Sequence, residues 1–291
     1  MSGMVYPPDA AGDAFTGLLD VRHARPVAVA LVASGAFTVD MRMPKDQWIR
    51  WKSGILAPCG CNCRRLNAIP AFRHLVDDAL ADATRSSFPG ADYIVAVAHA
   101  GIPWAKTVAD RLELPLAYVR AEARTAGGPL VDCSPGTATQ AVLIEDVVAS
   151  GASTARAIQA LLAETGMRVA GVQSIVNWNF PEMRARLASW KVRAITSYPQ
   201  VLASAQETGM ISEADAGQLL RFYADPRRHT WSVAGDLSQQ VLCRRPPPSF
   251  SIFATCSSTP RRTAPSRPGR GPAHPATRDH TNAPRPPRLT R

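Results

Sequence analysis

The chain has 291 residues, 46% of them hydrophobic, and a formal net charge of +10, enough for one sizeable domain with its own core. The charge is localised. Residues 245–291 hold nine arginines against a single acid, Asp279, a net of +8 that leaves about +2 on the other 244 residues. Composition therefore describes a near-neutral domain with a basic tail, not a basic nucleic-acid-binding surface; no apolar run reaches membrane-span length, and six cysteines unevenly placed make no disulfide framework. A reduced, cytoplasmic protein without a membrane partner is the expectation.

In chain order, residues 1–26 read as a loosely ordered start. Residues 27–34 fit either a helix or a strand, and an extended segment follows Gly35. In Cys59-Gly60-Cys61-Asn62-Cys63 the thiols alternate, so on a strand they share one face. Two readings stand for them: a soft-metal site, against which the one-residue spacing argues, or small packed hydrophobes. An amphipathic helix is predicted over 68–86, with Phe72, Leu75, Val76 and Leu80 on one side. Pro89-Gly90 breaks it, and a buried strand over 93–98 runs into His99-Ala100-Gly101-Ile102-Pro103 and a helix to residue 112. Small residues at such a turn let an anion approach the backbone. A strand over 116–119 leads into residues 120–140, where little order is legible. A loop of that length inside a compact domain is functional or mobile as a rule; the plainer alternative for Arg120 and Arg124 is that both are solvated.

The stretch 141–155, AVLIEDVVASGASTA, carries the most chemistry. Residues 141–144 read as a strand buried on both faces, ending at Glu145 and Asp146. The small-residue loop Ala149-Ser150-Gly151-Ala152-Ser153-Thr154 follows, with a helix from about residue 155. Backbone N–H groups of such a loop and the positive end of the helix suit one phosphate, with Ser150, Ser153 and Thr154 adding hydroxyls. Carboxylates suit sugar hydroxyls and a hydrated Mg²⁺. A phosphate beside a diol describes a ribose 5-phosphate. The alternative is a capped strand–turn–helix with two solvated acids. It is not a Walker loop, since Gly-Lys-Ser/Thr is missing. Further strands are predicted over 169–176 and 192–197, and helices over 182–189, 199–205 and 212–224, with Ser212 placed as an N-cap. Alternating strands and helices make an α/β fold with a parallel sheet covered on both faces and a site at strand ends.

Glu145-Asp146-Val147-Val148-Ala149-Ser150-Gly151-Ala152-Ser153 resembles the phosphoribosyl pyrophosphate (PRPP) signature of type I phosphoribosyltransferases, and within them the orotate phosphoribosyltransferases. Lys52-Ser53-Gly54, Pro58, Asn62 and Arg64 match that family's N-terminal part, and Glu207-Thr208-Gly209-Met210-Ile211-Ser212-Glu213 a late segment, so the resemblance covers about residues 27–231. It implies a parallel sheet flanked by helices with a small N-terminal hood, a homodimer, and transfer of 5-phosphoribosyl from PRPP to orotate in pyrimidine biosynthesis. PRPP would be held by Lys52, Ala100, Gly101, Arg120, Arg124, Glu145, Asp146 and residues 147–153 (Val147, Val148, Ala149, Ser150, Gly151, Ala152, Ser153). Arg124 and Asp146 would be catalytic, Arg124 standing where the family usually has lysine. Orotate would lie near Ala149, Gly60 and Cys61. Mg²⁺ would be held mainly by PRPP and water, not by the protein. The loop 120–140 would be shared across subunits. Departures stand at Gly60, Cys61, Ala121, Ala126 and Ala149. They leave open a transferase for another base, or a PRPP-binding regulator without catalysis.

The domain is placed at 27–233 and a disordered tail at 234–291, since a segment rich in proline and arginine buries too little to offset ordering entropy. For that tail three readings compete: an acidic-partner or nucleic-acid tail, a proline-rich ligand, and an unselected extension, the last favoured because the resemblance stops near Trp231.

Overall fold

The computed structural model describes residues 22–51, 54–132 and 136–227; Lys52, the residues up to 21 and the tail from 228 lie outside them. The described part of the chain opens with helix α1 (Ala24–Ala33), which resolves the ambiguity over 27–34 in favour of helix and starts three residues before the expected domain boundary. A small antiparallel region follows: β1 (Phe37–Val39), β2 (Ile49–Arg50), β3 (Leu56–Ala57) and β4 (Cys59–Cys61), with β1 paired to β4 and β2 to β3. A 3₁₀ turn over Cys63–Ala68 leads into α2 (Pro70–Ser87), where proline at the first helical position lacks only an N–H that has no intrahelical partner anyway. Then come β5 (Tyr93–Val97), α3 (Ile102–Leu112), β6 (Leu116–Val119), β7 (Val131–Asp132), β8 (Gln140–Val148) and α4 (Ala152–Thr165). The described chain ends through β9 (Arg168–Asn177), α5 (Pro181–Arg186), β10 (Lys191–Ser197), α6 (Tyr198–Glu207) and α7 (Glu213–Ala224).

One sheet of order β10-β9-β8-β5-β6-β7 organises these elements, parallel throughout except for the short edge strand β7. The apolar runs of β5 and β8 serve both faces because successive side chains point to opposite sides. Ile94, Ala96, Val142 and Ile144 enter the core with α1, α2, α3 and α6. Tyr93, Val95, Ala141 and Leu143 face the other way, against Ile158 and Leu161 of α4 and Met183 of α5. Each such fully buried aliphatic side chain contributes about 1.5–3 kcal/mol.

An aromatic cluster fastens the N-terminal region to the C-terminal end of β9. Trp51 meets Trp178 edge-on with ring centroids 4.7 Å apart, Trp178 stacks on Tyr198 at 4.2 Å, and Phe180, Phe222 and Tyr223 complete the group. Cys59 joins it from β4, its Sγ lying 3.4 Å from Tyr198 Oη. Ser212 caps α7 as expected, its hydroxyl accepting from the Asp215 N–H while the Asp215 carboxylate accepts from the Ser212 N–H.

Three local expectations need correction. Strand β8 runs on to Val148, so Glu145 and Asp146 lie inside it, paired against β9 with Glu145 opposite Ser174 and Val147 opposite Val176. Local reading ended the strand at the first charge; the neighbouring strand's hydrogen bonds carry it further. Helix α4 begins at Ala152, not 155, because Gly151 takes the left-handed conformation (φ +70°) that turns the chain into it at once. The loop after β6 is not without order: it returns as β7, pairing Tyr118 with Asp132 and Val119 with Val131.

Candidate active site

Strands β5 and β8 are adjacent and parallel, with Val95 opposite Leu143 and Ala96 opposite Ile144, so the turns that follow them emerge side by side. Gly101 closes the first turn at the start of α3. A Cβ at Gly101 would stand 2.5 Å from the Ile144 carbonyl oxygen and 2.8 Å from that of Val97. Only glycine fits so close an approach, and through it the turn carrying Ala100 and Gly101 rests on the strand that presents Glu145 and Asp146. Ala100 is half-buried, while His99 beside it is exposed.

Because they are consecutive on a strand, Glu145 and Asp146 point to opposite faces. Glu145 is 5% exposed and turns toward α4. Its Oε1 accepts from the Ser153 hydroxyl at 2.7 Å and its Oε2 from the Thr154 hydroxyl. Two of the hydroxyls expected to face a phosphate are therefore engaged by this carboxylate, which fixes the first turn of α4. Asp146 is half-buried on the other face and its Oδ1 accepts from the Val147 N–H at 2.9 Å. Its carbonyl oxygen receives the Cys63 thiol at 3.9 Å, which brings the cysteine-bearing segment against the end of β8.

The loop between them is pinned from outside. Arg186 of α5 donates to the Ser150 carbonyl, and Gly151 packs against Leu187, whose Cδ1 would lie 3.1 Å from an added Cβ. Val148, Ser150 and Gly151 are buried, Val147 and Ala149 half-buried, and Ala152 and Ser153 exposed. The first N–H groups of α4 have no intrahelical acceptor, so they and the helix dipole face an anion placed at this turn.

The arginine-bearing loop starts in order. The Arg120 N–H donates to the Leu130 carbonyl at 2.8 Å, and its guanidinium donates to Asp132 Oδ2 and lies 5.3 Å from the centre of the Tyr118 ring. Arg124 is exposed, 3.5 Å from the same Asp132 oxygen. Helix α4 holds the base of the loop: Arg156 donates to the Ala121 carbonyl at 2.8 Å, and the Glu164 carboxylate accepts from the N–H groups of Leu130 and Val131, each at 2.9 Å. Asp132, Arg156 and Glu164 were missed by sequence reading. The only signal for the first was an acid eight residues after Arg124; the other two sit on the polar face of a helix and gave none.

Gly60 and Cys61 lie half-buried on β4, opposite Thr38 and Phe37. A Cβ at Gly60 would meet Ile49 Cδ1 of β2 at 3.1 Å, the end of an exposed side chain that would have to give by a few tenths of an ångström. Burial pushes the Cys59 thiol up to about 12. The Cys63 thiol is also raised, by its hydrogen bond to Cys61 first and by burial second. Among the described residues no three His, Cys, Asp or Glu side chains gather around a metal position, and Cys59, Cys61 and Cys63 are free thiols. Lys52 lies outside the described residues.

Residues 63–197 match the model of the phosphoribosyl transferase domain. The chain is 34% identical over 203 residues to the orotate phosphoribosyltransferase of Bacillus caldolyticus, an alignment that covers 69% of this chain and 96% of that protein. The chain belongs to the orotate phosphoribosyltransferase family. The enzyme of the same name from Fusobacterium nucleatum is 32% identical over 61% of this chain and 85% of its own length. The fold is shared with the crystal structure of orotate phosphoribosyltransferase from Aeropyrum pernix (TM-score 0.52, 23% identity, 64% of this chain and 99% of that one) and with its counterpart from Francisella tularensis (TM-score 0.50, 17% identity, 68% and 97%). Family membership agrees with the resemblance carried by Glu145 to Ser153, and the parallel sheet flanked by helices is the expected fold class.

Proposed function

We propose that the chain transfers a 5-phosphoribosyl group from PRPP to orotate, giving orotidine 5′-monophosphate and pyrophosphate in pyrimidine biosynthesis. The observation that carries this reading is the contact between the turn after β5 and strand β8, Gly101 lying against the Ile144 carbonyl beside Glu145 and Asp146. One turn suits a diphosphate and the other a sugar phosphate, and the adjacent parallel strands β5 and β8 bring them to the same edge of the sheet. Catalysis is then mainly positioning and charge stabilisation as the ribose becomes cationic and diphosphate departs.

In this reading Asp146 holds ribose hydroxyls, residues 147–153 hold the 5-phosphate through their backbone, and Ala100 and Gly101 face the diphosphate. Glu145 orients the phosphate turn through Ser153 and Thr154. Arg124 and Arg120, with Lys52, neutralise diphosphate charge, Arg124 as the catalytic cation. An arginine grips a diphosphate with two parallel hydrogen bonds where a lysine offers a point charge. Ala149, Gly60 and Cys61 adjoin the base. Bound Mg²⁺, held mainly by PRPP and water, would neutralise diphosphate oxygens. The reading includes a homodimer in which the 120–140 loop reaches the partner's site, and a cytoplasmic setting.

The test is PRPP- and Mg²⁺-dependent loss of orotate absorbance with stoichiometric pyrophosphate. Because Gly60, Cys61 and Ala149 leave the base environment small and open, purines and other pyrimidines belong in the same assay. Turnover of another base in preference to orotate would replace the acceptor, and PRPP binding without turnover of any base would replace the enzyme by a sensor.

A further inference from the structure

We propose that Cys61 and Cys63 form a redox-active dithiol that closes to a disulfide and, by doing so, shuts down the site at the end of β8. Their sulfurs lie 3.7 Å apart, and Cys63 Sγ is also 3.9 Å from the Asp146 carbonyl oxygen. Cys61 is half-buried and open to a small oxidant, whereas Cys63 is fully buried behind it. The pair therefore has an accessible attacking thiol and a shielded resolving one. Two residues of extended chain span at most about 7 Å between Cα atoms, near the upper end of what a disulfide bridges. The ring formed is minimal and restrains the unfolded chain little, so the bond is easily reduced and suits regulation, not stability.

The oxidant is a low-molecular-weight disulfide. The Cys61 thiolate attacks one of its sulfurs, forming a mixed disulfide and releasing one thiol, which takes up the proton Cys61 lost. Cys63, giving up its proton, attacks the Cys61 sulfur and releases the second thiol. Two protein thiols are oxidised by two electrons, and one external disulfide is reduced to two thiols. Closure draws the sulfurs from 3.7 Å to about 2.05 Å and ends the thiol's hydrogen bond to Asp146. The 3₁₀ turn that begins at Cys63 then shifts against the strand that presents Asp146. The consequence for turnover rests on the proposed function; the thiol chemistry does not.

The experiment equilibrates the full chain with oxidised or reduced glutathione, blocks remaining thiols by alkylation, and maps the tryptic peptide 53–64 by fragmentation. The expected result is a Cys61–Cys63 bond with Cys59 alkylated, abolished in Cys61→Ala and in Cys63→Ala and kept in Cys59→Ala. Orotate turnover in the oxidised wild type should fall roughly ten- to hundredfold, the cost of misplacing catalytic geometry, and return with dithiothreitol. Full alkylation of all three thiols, glutathione retained on Cys61, or a bond from Cys59 overturns the dithiol in wild type alone, whether or not the variants fold. A Cys61–Cys63 bond with unchanged turnover overturns the gate. If the reduced protein turns over no orotate, it is the activity reading that fails, and calorimetric PRPP binding compared between the two redox states decides the gate instead.

Discussion

The Arg120 guanidinium donates to Asp132 Oδ2 across the hairpin formed by β6 and β7, tying the first arginine of the loop to a carboxylate of the same loop. Arg124 stands 3.5 Å from that oxygen. In the proposed function a diphosphate would pair with the same two cations, so its binding would exchange one anion for another. The Leu130 and Val131 N–H groups hold on to Glu164 independently of Asp132, so the hairpin survives the exchange.

Asp132→Asn should therefore lower the KM for PRPP about two- to fivefold, the range of a partly exposed charge pair worth up to about 1 kcal/mol, with the melting temperature nearly unchanged. Initial-rate kinetics at low ionic strength read it best, since salt weakens such pairs. A raised KM would mean that Asp132 orients Arg120 toward the ligand instead of competing with it.

The adjacent acids should separate cleanly. Glu145 is 5% exposed and accepts two hydroxyls. Glu145→Gln leaves one of them facing an amide that cannot accept, at about 1–3 kcal/mol, or roughly 2–4 °C of melting temperature per kcal/mol in a domain of this size. Asp146→Asn should leave melting within a degree or two and lower turnover roughly 10²-fold through lost positioning. Thermal scans and kcat on both variants check this; a kinetic loss in both with no thermal loss in Glu145→Gln would place both acids on substrate.

The same pair shows what local sequence carries and what it does not. Apolar runs of four to six residues marked β5, β6 and β8, because a strand covered on both faces has no polar register to lose, whereas β9 and β10 were legible across the polar residues Gln173, Ser174 and Arg193. The small-residue turn after β8 marked an anion site, because close backbone approach demands small side chains. Sequence could not show that β8 continues through two acids, since only pairing with β9 reveals that. Nor could it show that Glu145 faces a helix, which follows from the strand's two-residue alternation once the true strand end is known. Asp132 escaped notice because its partners lie on the opposite arm of a hairpin whose second strand is two residues long.

Arg124→Ala should lower turnover roughly 10²-fold, as loss of a group stabilising departing charge does. Its side chain is 74% exposed and its pairing with Asp132 is loose, so the melting temperature should not move. Arg124→Lys should recover part of the rate by keeping the charge without the planar fork. Stopped-assay kcat values on the two variants decide it; equal rates for wild type and alanine would remove Arg124 from the reaction and leave Lys52 and Arg120 as the cations to test.

Gly101→Ala tests the contact on which the site is assembled. The added methyl would stand 2.5 Å from the Ile144 oxygen and 2.8 Å from the Val97 oxygen, both backbone atoms of central strands that cannot move aside singly. Overpacking of this kind costs about 1–3 kcal/mol, and here it would also push the turn carrying Ala100 and Gly101 away from β8, so PRPP affinity should fall along with stability.

Alkaline titration reports the buried thiols. Burial holds the Cys59 thiol protonated up to about 12 in the folded chain, whereas the unfolded chain releases that proton near 8.5. The folded pKa is the higher one, so the associated stability is fully present below about 8.5 and is lost as pH rises toward 12. Within that window each pH unit costs about 1.4 kcal/mol for one such group. Cys63, raised by its bond to Cys61 and by burial, adds to the slope in the same direction. Denaturant midpoints at pH 8, 9 and 10 should therefore fall progressively in the reduced wild type. Cys59→Ala should start lower, for the cavity it leaves beside Tyr198, yet fall less steeply, because the Cys59 proton is no longer surrendered on unfolding, while Cys63 and, toward about pH 10, the buried Tyr198 hydroxyl keep a remaining slope. An unaltered slope in that variant would show that Cys59 is not held protonated by the aromatic cluster at the end of β9.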